Sequence, residues 1–331
     1  MTKKHTKHIL VLVSSQKISA GKFVETLQRK LTERDREGKR GYSVEIELGL
    51  FSDLSFIFGD NVLNVMIKGK DITKYDLIYM RKVGHKNTII ANSLGICLKH
   101  LHIPFYDSVF GDYGAKGNKF KSLIQLSVSG VPIPKSIYFC SPLMEESYNY
   151  LKRILGAHFV AKDLGLQRGT GIFLIKNQKD LDSLPYKNGS QGKSVYLYQE
   201  LIEKDHEYRT VILGSEVGVW YEKLQANEVE FRYNTSLGAT EVFLHKDNTP
   251  SYISEPAIAA AKALKIEIAG VDIVIEKRTH KVYILEVNRG PGLSIYNDIS
   301  VEYDAVAEFF EKGKPLSLKL GKKFRDSPVG F

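Results

Sequence analysis

The chain has 331 residues, 43% of them hydrophobic and 26% charged, with a formal net charge of +9. That composition excludes a disordered or collagen-like chain and allows two or three domains with cores of their own. The two cysteines, Cys97 and Cys140, lie far apart and in no CxxC pattern, which excludes a zinc ribbon or a disulfide framework and fits a reducing compartment.

The first residues are basic, and the apolar run at 9–13 is too short for a signal segment and reads as a buried strand. No apolar stretch approaches the ~20 residues of a membrane span, so a cytoplasmic protein without membrane contact is expected. Residues 21–36 form an amphipathic helix, with Phe23, Leu27 and Leu31 on one face. Strands follow at 42–48 and 76–80, a helix at 87–100 and extended chain at 103–106. This alternation predicts a βαβ unit with a mostly parallel sheet. Arg81, just past the second of these strands, reads as a surface arginine, with an acidic substrate as its other use.

The glycine- and charge-rich loop at 111–118 marks the first boundary. A helix at 119–129 is stopped by Gly130 and cannot continue through Pro132 and Pro134. Further strands are expected at 137–140, 158–162, 172–175 and 196–201, with a helix at 145–155. Strands at 207–213 and 216–222 meet at Gly214-Ser215, a hairpin turn. An alanine-rich helix at 255–264, strands at 268–275 and 281–288, and a helix at 302–311 complete the pattern. The division expected is 1–110, 111–198, 199–312 and a basic tail at 313–331.

Three groups of residues bear chemistry. Lys162 ends one strand, and a loop with Gly165, Gly169 and Gly171 follows before the next. Glycines let backbone N–H groups turn toward an anion, and the lysine adds charge, so a phosphate could be cradled there. A plain hairpin with a flexible tip explains the same residues, and no GK[ST] follows. Asp272 sits in one strand; Glu286 and Asn288, two apart, share a face of the next. If these strands pair, three oxygen-bearing side chains converge, as hard cations such as Mg²⁺ require. A solvated polar face and a glycosidase carboxylate pair are the alternatives. The strongly apolar neighbours and the nearby asparagine favour metal. The segment Gln199-Glu200-Leu201-Ile202, at a strand end, offers backbone groups to a flat base.

Taken in order, Lys162 with its glycine loop, Gln199 to Ile202, Glu207-Tyr208-Arg209, Phe231-Arg232-Tyr233-Asn234, Ala269-Gly270-Val271-Asp272 and Leu285-Glu286-Val287-Asn288 resemble the ATP-grasp ligases, most closely their RimK-like branch. Asn118-Lys119 and Gly130 to Pro134 resemble the entry to that family's middle domain, so the likeness covers about residues 110 to 312. The resemblance implies an α/β (α+β) ATP-grasp fold, with an N-terminal βαβ domain and ATP held between two α+β subdomains. It implies that Lys119 and Lys162 contact ATP phosphates and that Gly169 and Gly171 cover them. The backbone of Glu200 and Ile202 would read the adenine, with Gln199 and Leu201 beside them, and Glu207 would take the ribose. Asp272, Glu286 and Asn288 would hold one or two Mg²⁺, with Mn²⁺ as a substitute. Arg209, Lys223, Arg232 and Asn234 would face the transferred phosphate and the acyl group.

The implied reaction activates a carboxylate as an acyl phosphate and passes it to an amine of an amino acid, peptide or protein tail. A macrocyclase forming an ester or amide within one peptide, and a non-catalytic nucleotide-binding protein, are the other readings. The positive charge suits an acidic substrate. It would also suit nucleic acid, which no recognisable motif supports. A homo-oligomer stays open. Arg289 after Asn288, Glu222 before Lys223 and Gln167-Arg168 in the loop depart from the RimK-like pattern, and all three are expected on the acceptor side.

Overall fold

The computed structural model describes residues 5–15, 18–36, 42–59, 62–112, 119–138, 148–164, 171–185, 196–224, 240–293 and 300–312. Cys140, Gly169, Arg232 and Asn234, like Asn118 and the Gln167-Arg168 pair, lie outside them. Cys97 is a free thiol.

The chain begins with β1 (His5–Val13), α1 (Ile18–Arg36) and β2 (Tyr42–Leu50). Three short strands follow, β3 (Leu54–Gly59), β4 (Val62–Ile67) and β5 (Lys70–Asp71), then β6 (Leu77–Met80), α2 (Thr88–His100) and β7 (Phe105–Tyr106). The main sheet has the order β2-β1-β6-β7, and all of its pairs are parallel. Strands β3 to β5 form a separate antiparallel sheet. The sequence reading missed it, because apolar residues do not simply alternate along 54–59 and 62–67. Val65 and Ile67 are buried there while Ile57 is exposed. Helix α2 closes on the turn at 108–111, where a Cβ on Gly95 would lie 2.4 Å from Phe110 backbone.

The middle of the chain contributes α3 (Lys119–Val128), β8 (Ser136–Tyr138), α4 (Tyr148–Leu155), β9 (Phe159–Asp163), β10 (Ile172–Ile175), the short α5 (Gln178–Asp182) and β11 (Tyr196–Glu200). Its antiparallel sheet has the order β10-β9-β11-β8 over a small core of its own, with Phe159, Tyr196 and Tyr198 at its centre. The last part holds β12 (Lys204–Leu213), β13 (Glu216–Leu224), β14 (Thr240–Leu244), α6 (Ser251–Ala263), β15 (Ile268–Glu276), β16 (Val282–Arg289) and α7 (Val301–Lys312). These strands form an antiparallel sheet of order β14-β13-β12-β15-β16. Helices α6 and α3 cover one face of it, through Ile253, Ala257, Ala261 and Leu126 against Ile212, Val271 and Ile273. Among the described residues no helix is long and apolar enough to cross a membrane.

The other face of this sheet is divided along the strands. Val211 and Leu213 of β12, with Val219 and Tyr221 of β13, join one continuous core with Ile9, Val11, Phe23 and Tyr79 of the first sheet. Helix α7 fills the seam. Phe310 meets Tyr79 at 5.9 Å and Tyr106 at 5.8 Å between ring centres, and Phe309 stacks on Tyr106 at 5.1 Å. Outside the core, Arg34 donates to both Glu311 carboxylate oxygens at 2.9 Å, and the Tyr42 hydroxyl donates to the Glu311 carbonyl. Phe310→Ala should therefore cost about 3–5 kcal/mol, as expected for a large buried aromatic that cannot be replaced by collapse. Urea unfolding of the two proteins measures it, and a loss under ~1 kcal/mol would contradict this seam.

Candidate active site

On the divided face, the polar half begins where the core ends. Residues 207 and 209 of β12 lie on the same side as Val211, and their neighbours in β13 and β15 supply matching charges. Arg209 pairs across the sheet with Asp272, and Glu207 with Lys223. Arg209 grips Asp272 in bidentate fashion, Nε to Oδ1 and Nη2 to Oδ2, both at 2.8 Å. The Lys223 ammonium donates to Asp272 at 2.6 Å and to Glu207 at 3.2 Å. Lys204 donates to the other Glu207 oxygen at 2.8 Å. Asn288 Nδ2 donates to Asp272 at 3.2 Å.

Strands β15 and β16 pair antiparallel, as the sequence predicts, with Asp272 opposite Glu286 and Gly270 opposite Asn288. The three oxygen-bearing side chains thus share one face. Glu286 is half-buried and forms no hydrogen bond or ion pair among the described residues. The Asn288 amide uses its nitrogen toward Asp272, which leaves Oδ1 as a donor atom for a cation. Two carboxylates and an amide oxygen are a hard donor set, and a partly buried carboxylate is costly unless a cation reaches it. The residues therefore fit a Mg²⁺-type ion.

The charges are strongly interdependent. Burial by itself would raise the Asp272 carboxyl, but the Arg209 guanidinium and the Lys223 ammonium outweigh it and hold it well below the usual carboxylate range. Asp272 in turn raises Arg209, and it lifts Lys223 despite that lysine's burial. Lys162, at the end of β9, is pushed down to about 8 by burial. Glu286, Glu207 and Asp272 oppose that fall, and the like charge of Lys119 reinforces it. Lys162 and Lys119, from two different elements, are thus brought to the same charged region as the β15–β16 carboxylates. Gly171 closes the β9–β10 hairpin by accepting a hydrogen bond from Asp163 N–H at 2.8 Å.

At the end of β11, the Gln199 side chain is buried and donates to the Ser136 hydroxyl. The Glu200 N–H donates to the Lys135 carbonyl at 2.9 Å, and its carboxylate accepts from the Lys135 N–H at 2.7 Å. Leu201 and Ile202 continue as half-buried extended chain. Glu207 lies deep between two lysines, beside Asp272.

Two expectations change. Arg81 is no surface residue: it is 4% exposed, packed between the first sheet and the segment after Asn288. Arg289 lies not with Asn288 but over the Phe110 ring, at 4.9 Å from its centre, because successive residues of β16 point to opposite faces. Lys204 was missed altogether. Three positions from Glu207 on a regular strand, it should face the other way; a bulge between Lys204 and His206 turns it back.

Two sheets meeting around such a set of lysines and carboxylates, behind a first α/β unit, define an ATP-grasp protein. Solved structures agree: the ATP-grasp ligase PsnB complexed with minimal precursor, Mg and ADP has the same fold at a TM-score of 0.61, with 15% identity over 86% of this chain and 89% of that one. The model of the RimK-like ATP-grasp domain matches residues 116–308, and the chain belongs to that family. A probable alpha-L-glutamate ligase of Nitrosococcus oceani is 30% identical over 258 residues, covering 75% of this chain and 80% of the relative. A probable alpha-L-glutamate ligase of Legionella pneumophila is 28% identical over 205 residues, 60% of this chain, and the matched part spans 65% of that relative's length.

Proposed function

We propose that the protein is an ATP-dependent carboxylate–amine ligase that forms an acyl phosphate, releases ADP and transfers the acyl group to an amine. The observation that carries this reading is the imbalance of the site. Lys119, Lys162, Lys204, Arg209 and Lys223 stand with only Glu207, Asp272 and Glu286 among the described residues. A net positive, partly buried site with a cation-ready carboxylate face suits a polyphosphate bound together with its divalent ion.

Lys119 and Lys162 meet the phosphates, and the segment with Gly169 and Gly171 covers them. Gln199, Glu200, Leu201 and Ile202 form the base edge, with the Glu200 carbonyl and the Ile202 N–H turned to the adenine. Glu207 takes the ribose, or orders Lys204 and Lys223 toward the phosphates; its burial between those lysines favours the second role. Asp272, Glu286 and Asn288 hold the Mg²⁺, which when bound supplies positive charge to the phosphate oxygens. Arg209, Lys223, Arg232 and Asn234 face the transferred phosphoryl and acyl groups.

In the first half-reaction a substrate carboxylate oxygen bonds to the γ-phosphorus as its bond to the ADP oxygen breaks. In the second, the amine nitrogen bonds to the acyl carbon, phosphate leaves and the nitrogen gives up a proton. Arg209 and Lys223 balance the charge that builds on the phosphoryl oxygens, aimed there in advance by Asp272 and Glu207. Chain segments 111–198 and 199–312 act as lid-bearing and metal-bearing units behind the N-terminal α/β domain at 1–110. The net charge of +9 favours acidic substrates.

The test is mass spectrometry of reactions containing Mg-ATP, amino acids and short acidic peptides, with ADP release followed in parallel and an Asp272→Asn/Glu286→Gln double mutant as control. A product heavier by an amino-acid residue, made only by the wild type, supports the ligase. A peptide lighter by one water replaces it with the macrocyclase reading. No ADP and no product from either protein would leave a nucleotide-binding protein.

A further inference from the structure

The segment that follows the metal asparagine is held from the first sheet. Arg81 lies just past the C-terminal end of β6, the edge of a parallel sheet where ligands and their supports gather. Its N–H donates to the Leu12 carbonyl of β1 at 2.8 Å, which fixes the backbone. Its guanidinium lies 4.0 Å above the Phe23 ring, and Nη2 donates to the Pro291 carbonyl at 3.1 Å, in a buried contact. From the same edge, Phe110 supports Arg289. Between these two grips lies Gly290, with φ +56°; a Cβ there would come within 3.3 Å of Arg81 Cγ and of the Lys82 nitrogen. Asn288 is two residues away.

The arrangement is costly for a merely structural arginine. Arg81 forms no ion pair with a carboxylate among the described residues, although it is 4% exposed. Among the described residues this buried guanidinium offers its five donors to one carbonyl, a ring face and a nearby phenol, which only partly replace its lost hydration. The nearest compensation is diffuse. The Tyr79 phenol senses Arg81 together with Asp107 and Glu267, and Asp107 is 1% exposed. An apolar residue of similar length would fill the space at lower cost. What it could not do is hold the Pro291 carbonyl.

We propose that Arg81 is a positioning residue for the metal site: by tethering residues 289–291 to the first sheet it sets the aim of Asn288. This rests on the reading of Asp272, Glu286 and Asn288 as metal ligands. A positioning role predicts weakened metal binding with nucleotide binding intact, whereas a purely structural role predicts a lower melting temperature and fewer active molecules of unchanged metal affinity.

The experiment titrates Mn²⁺ into the full chain with AMPPNP, following free Mn²⁺ by electron paramagnetic resonance, alongside thermal melting and AMPPNP affinity without metal. Arg81→Met should raise the Mn²⁺ dissociation constant about tenfold, the scale of losing an outer support of a ligand. Arg81→Lys, which still offers a donor to the carbonyl, should recover most of it. Gly290→Ala, which presses the same contact from the other side, should reproduce the loss, and it decides the matter if Arg81→Met does not fold. Asn288→Ala calibrates the assay. Wild-type Mn²⁺ affinity in Arg81→Met and Gly290→Ala, with loss in Asn288→Ala, overturns the proposal and leaves the metal reading standing. Wild-type affinity in Asn288→Ala overturns both.

Discussion

Asp272→Asn should lower ADP release by about 10³-fold, since it removes a charged ligand from the ion and the anchor of two phosphate-facing cations together. The same change should destabilise the fold. Arg209 and Lys223 would remain within reach of each other, with only Glu207 to offset them. Removing one partner of a buried pair costs about 3–5 kcal/mol; the lower end applies, because the Arg209 side chain keeps 22% of its exposure. The two losses can be separated. Asp272→Asn/Arg209→Met should regain much of the stability by removing the orphaned guanidinium, yet remain inactive. Urea unfolding and ADP release on the three proteins measure this, and an Asp272→Asn protein with more than a tenth of wild-type turnover would refute it. The native pairing also has a pH signature. Asp272 is held below its ordinary range, so its stabilisation is complete above that range and is lost only as pH falls beneath it.

Lys162 gives the second large effect, in the opposite pH direction. Burial lowers it from 10.5 to about 8. Below pH 8 both folded and unfolded chains hold this proton and the burial cost is fully present; between 8 and 10.5 only the unfolded chain holds it, so the cost fades and stability from this group rises with pH. Nucleotide binding runs the other way, because phosphate favours the charged lysine. AMPPNP affinity should be flat below pH 8 and fall about tenfold per unit above it, with uptake approaching one proton, until the pKa of the bound state is reached. Isothermal titration in two buffers of different ionisation enthalpy reads that uptake. Lys162→Met should abolish the pH dependence and weaken AMPPNP at pH 7 by about 10–100-fold, the value of a charge-assisted hydrogen bond. A flat profile from pH 7 to 10 in the wild type would remove Lys162 from the phosphate site.

Local chemistry made much of this legible in the sequence. The short turn between 275 and 281 makes β15 and β16 pair, and strand period puts Glu286 and Asn288 on one face; a regular register would set Asp272 opposite Leu285, and the shift between Asp272 and Ile273 is what brings it opposite Glu286. What escaped reading was non-local. Arg209 faces Asp272 only because of the register of β12 against β15, which long-range packing decides, and Lys223 faces Glu207 because a shift between Val211 and Ile212 moves the β12–β13 hairpin by one residue. Lys204 escaped because a bulge reverses strand period, and no residue type announces it. Arg81 looked solvated because a strand-end arginine usually is; the surface that covers it comes from 210 residues further along the chain.

The seam filled by α7 settles which parts of the molecule can be exchanged. The first sheet and the β12–β16 sheet share one apolar interior, whereas the β8–β11 sheet keeps its own. A recombinant that grafts residues 1–110 of a relative onto this chain must bring Tyr303, Phe309 and Phe310 as a matched set, or leave aromatic knobs without sockets. The unit of inheritance in this protein is therefore discontinuous: its beginning and its end travel together, and the segment between them is the replaceable cassette.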